Sequence, residues 1–328
     1  MMTRSLKTKR LAAAGLASTM AATLFLSFAN NPAEAAITPT PDRQIVTVIA
    51  NLNKAYGGSY TGPSLGNMDS VRAFANRALA MTPTAPDVVL LQEVRAKSAK
   101  AAATALTNKS PFKYVVVVMP GQHPTREFGG MQIHKETAII LNTDTMEKIG
   151  TGGFLAAKYT RAQAAAGHKI KVKKTAYVGA TQKSSGMKVA LASVHYTPVE
   201  DLKSKAVSNS LRGKWSEQIA AKLKSKYPGS AITNIGGDFN QIRCYSGAFK
   251  SCTLADFWKY FSNNGFVDSL YMLHQASPGP EACVERTTGV DYIFSDGNPK
   301  KGGVDSKGGY SDHKLRWVTI EAVPYKKC

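Results

Sequence analysis

The chain has 328 residues, with 42 Lys and Arg against 22 Asp and Glu, for a net charge of +20. Beyond its first 35 residues no run approaches the roughly 18 consecutive apolar residues of a membrane-spanning helix, so stable membrane insertion is not expected. No fixed-period repeat or Pro/Ser linker divides the remainder, which predicts one domain of about 290 residues.

The N-terminus reads as a signal. A basic head, MMTRSLKTKR, precedes the apolar LAAAGLASTMAATLFLSF, and Ala33-Glu34-Ala35 fits the small-residue cleavage rule. Residues 1–35 are therefore expected to be a cleaved signal peptide, 36–44 a short N-terminal segment and 45–328 the single domain of a secreted, extracellular protein. Cleavage removes Arg4, Lys7, Lys9, Arg10 and Glu34, four cations and one anion, which leaves a charge of +17. Such a surface gathers polyanions, with nucleic acid or an anionic surface as partners, although solubility or adhesion to an anionic cell wall uses the same charge.

In chain order, IVTVIA at 45–50 is a short β-branched run that predicts a buried strand ending at Asn51. Met68, Val71, Phe74, Ala75, Ala78 and Leu79 recur at three- and four-residue spacing, which predicts an amphipathic helix that MTPTAP stops. DVVLLQEV predicts a second buried strand with Glu93 near its end, and YVVVVM at 114–119 and ETAIILN at 136–142 predict two more. Between them PGQHPTREFGGMQIHK is polar and basic, and it reads as a long functional loop. Arg126 and Lys135 in it are candidates for phosphate contacts, with plain solvated charge as the alternative.

Further on, the segment 188–196 with VALASVHY predicts a strand ending near His195, followed by a helix carrying Leu211, Trp215, Ile219 and Leu223 on one face. AITNIGGDFN predicts the next strand and its exit loop, and GVDYIFSD and LRWVTIEAV the last two. Helices and strands alternate early and strands cluster late, so the class is α/β with more than one sheet. Asn51, Glu93, His195, Asp238 with Asn240, Asp291, and Asp312 with His313 all stand where apolar strands end. Such ends converge on ligand crevices in α/β proteins, although any one of these residues alone could be a turn former or cap.

Four cysteines, Cys244, Cys252, Cys283 and Cys328, fit two disulfides in an exported chain, with three possible pairings. No C-x-x-C occurs, which argues against a cysteine zinc site.

The strings IANLN at 49–53, LLQEV at 90–94, SVHYTP at 193–198, GGDFNQ at 236–241, VDYIF at 290–294 and YSDHK at 310–314 resemble the endonuclease/exonuclease/phosphatase superfamily, most closely its deoxyribonuclease I-like members. The resemblance implies a four-layered α/β sandwich of two packed mixed β-sheets flanked by helices. It implies a divalent metal, Mg²⁺ with Mn²⁺ or Ca²⁺ as substitutes, held by Glu93, Asn51 and Asp312. It implies that Asp238 orients or deprotonates the attacking water and that Asn240 helps hold the phosphate. His313 would bind the phosphate, backed by Asp291, and His195 would act as general acid. The family's orienting carboxylate for that histidine is replaced here by Met119, so its partner is left between Glu136 and Glu127. The resemblance also suggests Cys244 with Cys283 and Cys252 with Cys328, the local pair Cys244 with Cys252 staying open.

The expectation is a monomeric, weakly sequence-specific endonuclease acting on DNA, with RNA as a further substrate. The alternatives are a sphingomyelinase-type phospholipase C, an inositol phosphatase, or a non-catalytic adhesin or toxin subunit. Trp215, Trp258 and Trp317 lie within apolar patterns, so no exposed aromatic hairpin for a membrane is expected.

Overall fold

The computed structural model describes residues 37–55, 68–121, 125–126, 132–156, 171–198, 205–246, 253–275, 290–305, 311 and 313–324. The 1–35 leader, Glu127, Asp312, Cys252, Cys283 and Cys328 lie outside them, as do the side chains of Arg126 and Cys244.

One sheet has the order β15 (Gly297–Val304), β16 (Arg316–Pro324), β1 (Gln44–Ala55), β2 (Val88–Val94), β6 (Ala138–Asn142) and β3 (Tyr114–Val118). Only β1 and β2 in it run parallel. The other sheet follows β13 (Val267–Asp268), β14 (Asp291–Ser295), β10 (Ile232–Asp238), β9 (Lys188–His195), β8 (Lys171–Gln182), β5 (Gln132–His134) and β4 (Thr125–Arg126), with β7 (Met146–Ala156) also paired to β8. Both sheets are mixed, since β9 and β10, and β5 and β8, are parallel pairs. A separate two-stranded ribbon joins β11 (Cys244–Ser246) to β12 (Thr253–Leu254).

Helices cover the outer faces. Helices α1 (Met68–Met81) and α2 (Ala96–Asn108) pack Val71, Phe74, Ala78, Ala99, Ala102 and Leu106 against Val48, Ala50, Val89 and Leu91 of the first sheet. Helices α3 (Lys205–Lys226) and α4 (Asp256–Asn263) pack Leu211, Trp215, Phe257 and Phe261 against Ala192, Val194, Ile235 and Phe294 of the second. Short α5 (Ser269–Gln275) follows β13.

Between the sheets lies a third apolar layer, with Ile45, Ile49, Val88 and Leu90 facing Val189, Leu191, Ile232 and Ile293. Strands buried on both faces explain why their sequences read as unbroken apolar runs rather than as alternation. The predicted four-layered sandwich is therefore present, and the predicted apolar faces of α1 and α3 are the buried ones.

The period of two in each strand decides what reaches the site. Ile45, Thr47 and Ile49 of β1 face the other sheet, so Asn51 does as well; Asn234 Nδ2 donates to Thr47 Oγ1 at 2.7 Å across the gap. Val189 and Leu191 of β9 point the same way, and Ser193 Oγ accepts from Gln92 Nε2 at 3.0 Å, which sets His195 on that face. Ile232, Asn234 and Gly236 of β10 lead in the same manner to Asp238. Gly236 allows the sheets to close here, because a Cβ would lie 2.8 Å from Ile49 Cγ2 and 3.0 Å from Leu90 Cδ1. Gly237 has φ +141°, and a Cβ there would meet the Val194 carbonyl oxygen at 2.1 Å, so only glycine fits.

One expectation needs correction, and two strands were not foreseen. The segment 120–135 is not a plain loop: Thr125 pairs with Ile133 and Arg126 with Gln132 in a short antiparallel ladder that extends the second sheet through β5. Strands β7 and β8 also went unpredicted, since Gly-rich MEKIGTGGFLA and Lys-rich KVKKTAYVGATQ lack the apolar density of the other strands.

Candidate active site

At one end of the sandwich the register aligns Asp238 opposite both His195 and Asp291. Asp291 opens β14, but β14 runs antiparallel to β10, so its first residue stands beside the last residue of β10. Asn51 comes from β1 of the facing sheet and donates Nδ2 to Asp238 Oδ2 at 3.2 Å and to Glu93 Oε1 at 3.3 Å. Glu93 breaks the alternation of β2 through a left-handed backbone, φ 54°. A non-glycine residue held there stores strain, which the surrounding packing has to sustain. Asn240, the other site residue of this kind at φ 49°, donates its N–H to Asp238 Oδ1 at 2.7 Å and its Nδ2 to the Tyr196 carbonyl at 2.7 Å.

His195 is buried. Its Nδ1 lies 2.9 Å from Glu136 Oε1, and its Nε2 lies 3.5 Å from Asp238 Oδ2 and 3.8 Å from Glu93 Oε1. Of the two carboxylates the sequence left open, Glu136 occupies the place of partner; the Val94 N–H donates to the Glu136 carbonyl at 3.0 Å and ties it to the end of β2. Met119, where the family's carboxylate was expected, is 37 % exposed.

A second histidine–carboxylate pair faces the first. His313 Nδ1 lies 2.9 Å from Asp291 Oδ2, while its Nε2 stands 3.8 Å from Asp238 Oδ2. Asp238 is thus shared between the two imidazoles. Burial raises its carboxyl above the usual range, with His195 the strongest opposing influence.

Sequence reasoning missed Lys173. Its Nζ, on β8, pairs with Glu136 Oε1 at 3.0 Å, lies 3.2 Å from His195 Nδ1 and also contacts the other ring nitrogen. Its stem borders a small cavity with Leu155, Tyr196 and Trp215. No motif flagged it, because a lysine within KVKK reads as solvated charge until β8 is paired with its neighbours.

The donor set suits a hard divalent cation. Glu93, His195 and Asp238 form one cluster and Asp238, Asp291 and His313 another, each with ligand atoms within 4.8 Å of one another. Glu93 Oε2 and Asp291 Oδ1 are buried and have no hydrogen-bond partner among the described residues. A buried carboxylate oxygen left in that state is costly unless a ligand takes it up, and oxygen donors of this kind are what Mg²⁺ or Ca²⁺ uses.

Of the two phosphate-contact candidates, only Lys135 has its side chain among the described residues. Its ammonium lies 5.7 Å from the centre of the Phe154 ring. The Arg126 side chain, on β4, and Asp312 lie outside the described residues; His313, next to Asp312, donates its N–H to Ser311 Oγ at 3.1 Å.

No family model matches this chain, and no curated protein sequence does. Solved structures do. An endonuclease/exonuclease/phosphatase from Bacteroides vulgatus is similar at 15% identity and TM-score 0.58, over 85% of this chain and 98% of that one. A mannosyl-6-phosphatase from Bacteroides thetaiotaomicron matches at 17% identity and TM-score 0.56, over 84% and 98%. TDP2 from D. rerio, complexed with single-strand DNA product, matches at 14% identity and TM-score 0.50, over 85% and 100%. The two packed sheets, their flanking helices and these matches together show that the chain has the fold of the endonuclease/exonuclease/phosphatase family.

Proposed function

We propose that the chain is a secreted, divalent-metal-dependent phosphodiesterase, an endonuclease that hydrolyses DNA, and RNA besides, with little sequence specificity. The observation that carries this reading is the pair of imidazoles, each backed by a carboxylate, facing one another across Asp238. Hydrolysis of a phosphodiester needs an oriented water, donors for the equatorial oxygens and an acid for the leaving oxygen, all in line.

Asp238 accepts a proton from the attacking water as its oxygen forms the new bond to phosphorus. His195, oriented by Glu136, passes a proton from Nε2 to the ester oxygen as the old P–O bond breaks. His313, oriented by Asp291, donates from Nε2 to a non-bridging oxygen, and Asn240 helps hold the phosphate. Lys173 adds positive charge beside His195, where the departing oxygen becomes negative. Glu93, Asn51 and Asp312 would hold Mg²⁺, which when bound offsets phosphate charge and polarises its oxygens.

The polyanion preference rests on the net charge, +17 without residues 1–35. Export rests on the basic-then-apolar leader, and the even cysteine count agrees with an oxidising compartment. A phosphomonoesterase is the second reading, favoured by the similarity to the mannosyl-6-phosphatase.

The test is a substrate panel with Mg²⁺: plasmid DNA, RNA, sphingomyelin, an inositol phosphate and mannose 6-phosphate. Turnover of the nucleic acids at rates well above the others supports the reading. Turnover of a sugar or inositol monoester alone makes the chain a phosphatase, and release of phosphocholine alone makes it a phospholipase C.

A further inference from the structure

Helix α3 carries two stripes. One is apolar, with Leu211, Trp215, Ile219 and Leu223, and it packs on the second sheet. The other is polar yet almost fully buried: Asn209 at 7 %, Arg212 at 0 % and Ser216 at 0 % exposure, spaced by three and four residues on one face. A guanidinium with no exposed surface cannot touch substrate, and burying it is costly unless its donors are used.

Its two terminal nitrogens reach two loops. Arg212 Nη2 donates to the Thr197 carbonyl at 2.7 Å, and Nη1 donates to Gln241 Oε1 at 2.9 Å. Thr197 lies two residues beyond His195, and Gln241 directly follows Asn240. Gln241 is fixed from its other end as well, where Nε2 donates to Asn209 Oδ1 at 3.0 Å; the same oxygen accepts the Asp256 N–H at 2.8 Å. Ser216 closes the ladder by donating to the Arg212 carbonyl at 2.9 Å while its Oγ meets the Tyr196 hydroxyl at 2.8 Å.

We infer that Arg212 is a positioning residue, a buried strut that fixes the exit loop of β9, which carries His195, against the exit loop of β10, which carries Asp238 and Asn240. The planar fork explains why arginine rather than lysine stands here: its two arms bridge carbonyl and carboxamide at once, which a single ammonium cannot do in fixed geometry. Asn240 already couples the loops through the Tyr196 carbonyl, and Arg212 repeats that coupling one residue further along each loop. The inference rests on the phosphodiesterase reading for its kinetic consequence, but not for its geometric one.

Two measurements on the full chain separate these. In the first, Arg212→Ala is assayed with bis(p-nitrophenyl) phosphate, kcat being expressed per folded molecule. A misplacement of roughly 1 Å costs about 100-fold, so kcat should fall by that order with KM changed less than about threefold. Millimolar guanidinium should restore at least about tenfold of it by refilling the cavity, and ammonium at equal ionic strength should not. In the second, the crystal structure of the variant should show the His195 Nε2 to Asp238 Oδ2 separation changed from 3.5 Å. If Arg212→Ala does not fold, Gln241→Ala removes one arm's partner and should lower kcat about tenfold. An unchanged separation together with full kcat per folded molecule overturns the strut. A parent protein inert towards the diester overturns the phosphodiesterase reading instead, and the separation alone then decides on Arg212.

Discussion

The two ends of the sandwich treat their buried carboxylates in opposite ways. At the far end, Asp87 is fully buried and uses both oxygens, accepting the Val46 N–H at 2.9 Å and the Thr145 hydroxyl at 2.7 Å. Gln182, also buried, donates to the carbonyls of Pro41 and Gln44 and accepts from the Arg43 N–H. At the near end, Glu93 Oε2, Asp291 Oδ1 and Gln92 Oε1 are buried with no hydrogen-bond partner among the described residues. Left-handed backbone occurs at both ends, at Arg43 in the turn before β1 and at Glu93 and Asn240, but only at the near end does it fall on residues that carry chemistry. The buried carboxylate of the far end is completed by the protein itself. The near end is left for a ligand to complete, which is how stability is exchanged for function in one small core.

Substitutions break this comparison in a graded way. His195→Ala and Asp238→Asn should each lower phosphodiester turnover by about 1,000-fold. Asp238→Asn should also leave thermal stability unchanged or raised, since burial disfavours the charged carboxylate it removes. A parallel loss of melting temperature and activity would mean that the near end is structural. Glu136→Gln keeps the shape but weakens the hold on His195, and about a 100-fold fall in kcat is expected, read by steady-state kinetics. Lys173→Met should reduce kcat/KM about tenfold and flatten its dependence on salt, since one cation near the phosphate is removed.

The smallest effect on activity belongs to the far end. Burial raises Asp87 from 3.8 to about 6. The folded state therefore holds a proton between pH 4 and 6 that the unfolded state has released, and its contribution to stability falls as pH rises through that window and is level above it. Asp87→Asn should leave kcat intact. Denaturant melts should show the stability of wild type relative to this variant declining by on the order of 3 kcal/mol from pH 4 to pH 7. A pH-independent difference would show that Asp87 is not titrating there.

How far the sequence is legible follows the same physics. Strands β1, β2, β9 and β10 are buried on both faces, so their apolar runs stand out and their ends locate Asn51, Glu93, His195 and Asp238. Helices α1 and α3 show their stripes for the same reason. Helix α2 is hidden because AKSAKAAATALTN packs with alanines, which carry little pattern, and α4 has only eight residues. Strand β8 hides because its lysines mask the Ala176, Val178 and Ala180 that face the core. Lys173 vanishes with it, since its role depends on pairing between residues distant in sequence. Glu136 was visible only as one of two carboxylates, because the choice between them depends on how the start of β6 meets the end of β2.

The most direct test of the central claim is single-turnover nicking of supercoiled plasmid with Mg²⁺, comparing wild type with His195→Ala and Glu136→Gln at matched folded concentration. The account predicts metal-dependent nicking that is lost with His195→Ala and slowed about 100-fold with Glu136→Gln. Nicking at the wild-type rate by both variants would contradict it and place the chemistry elsewhere.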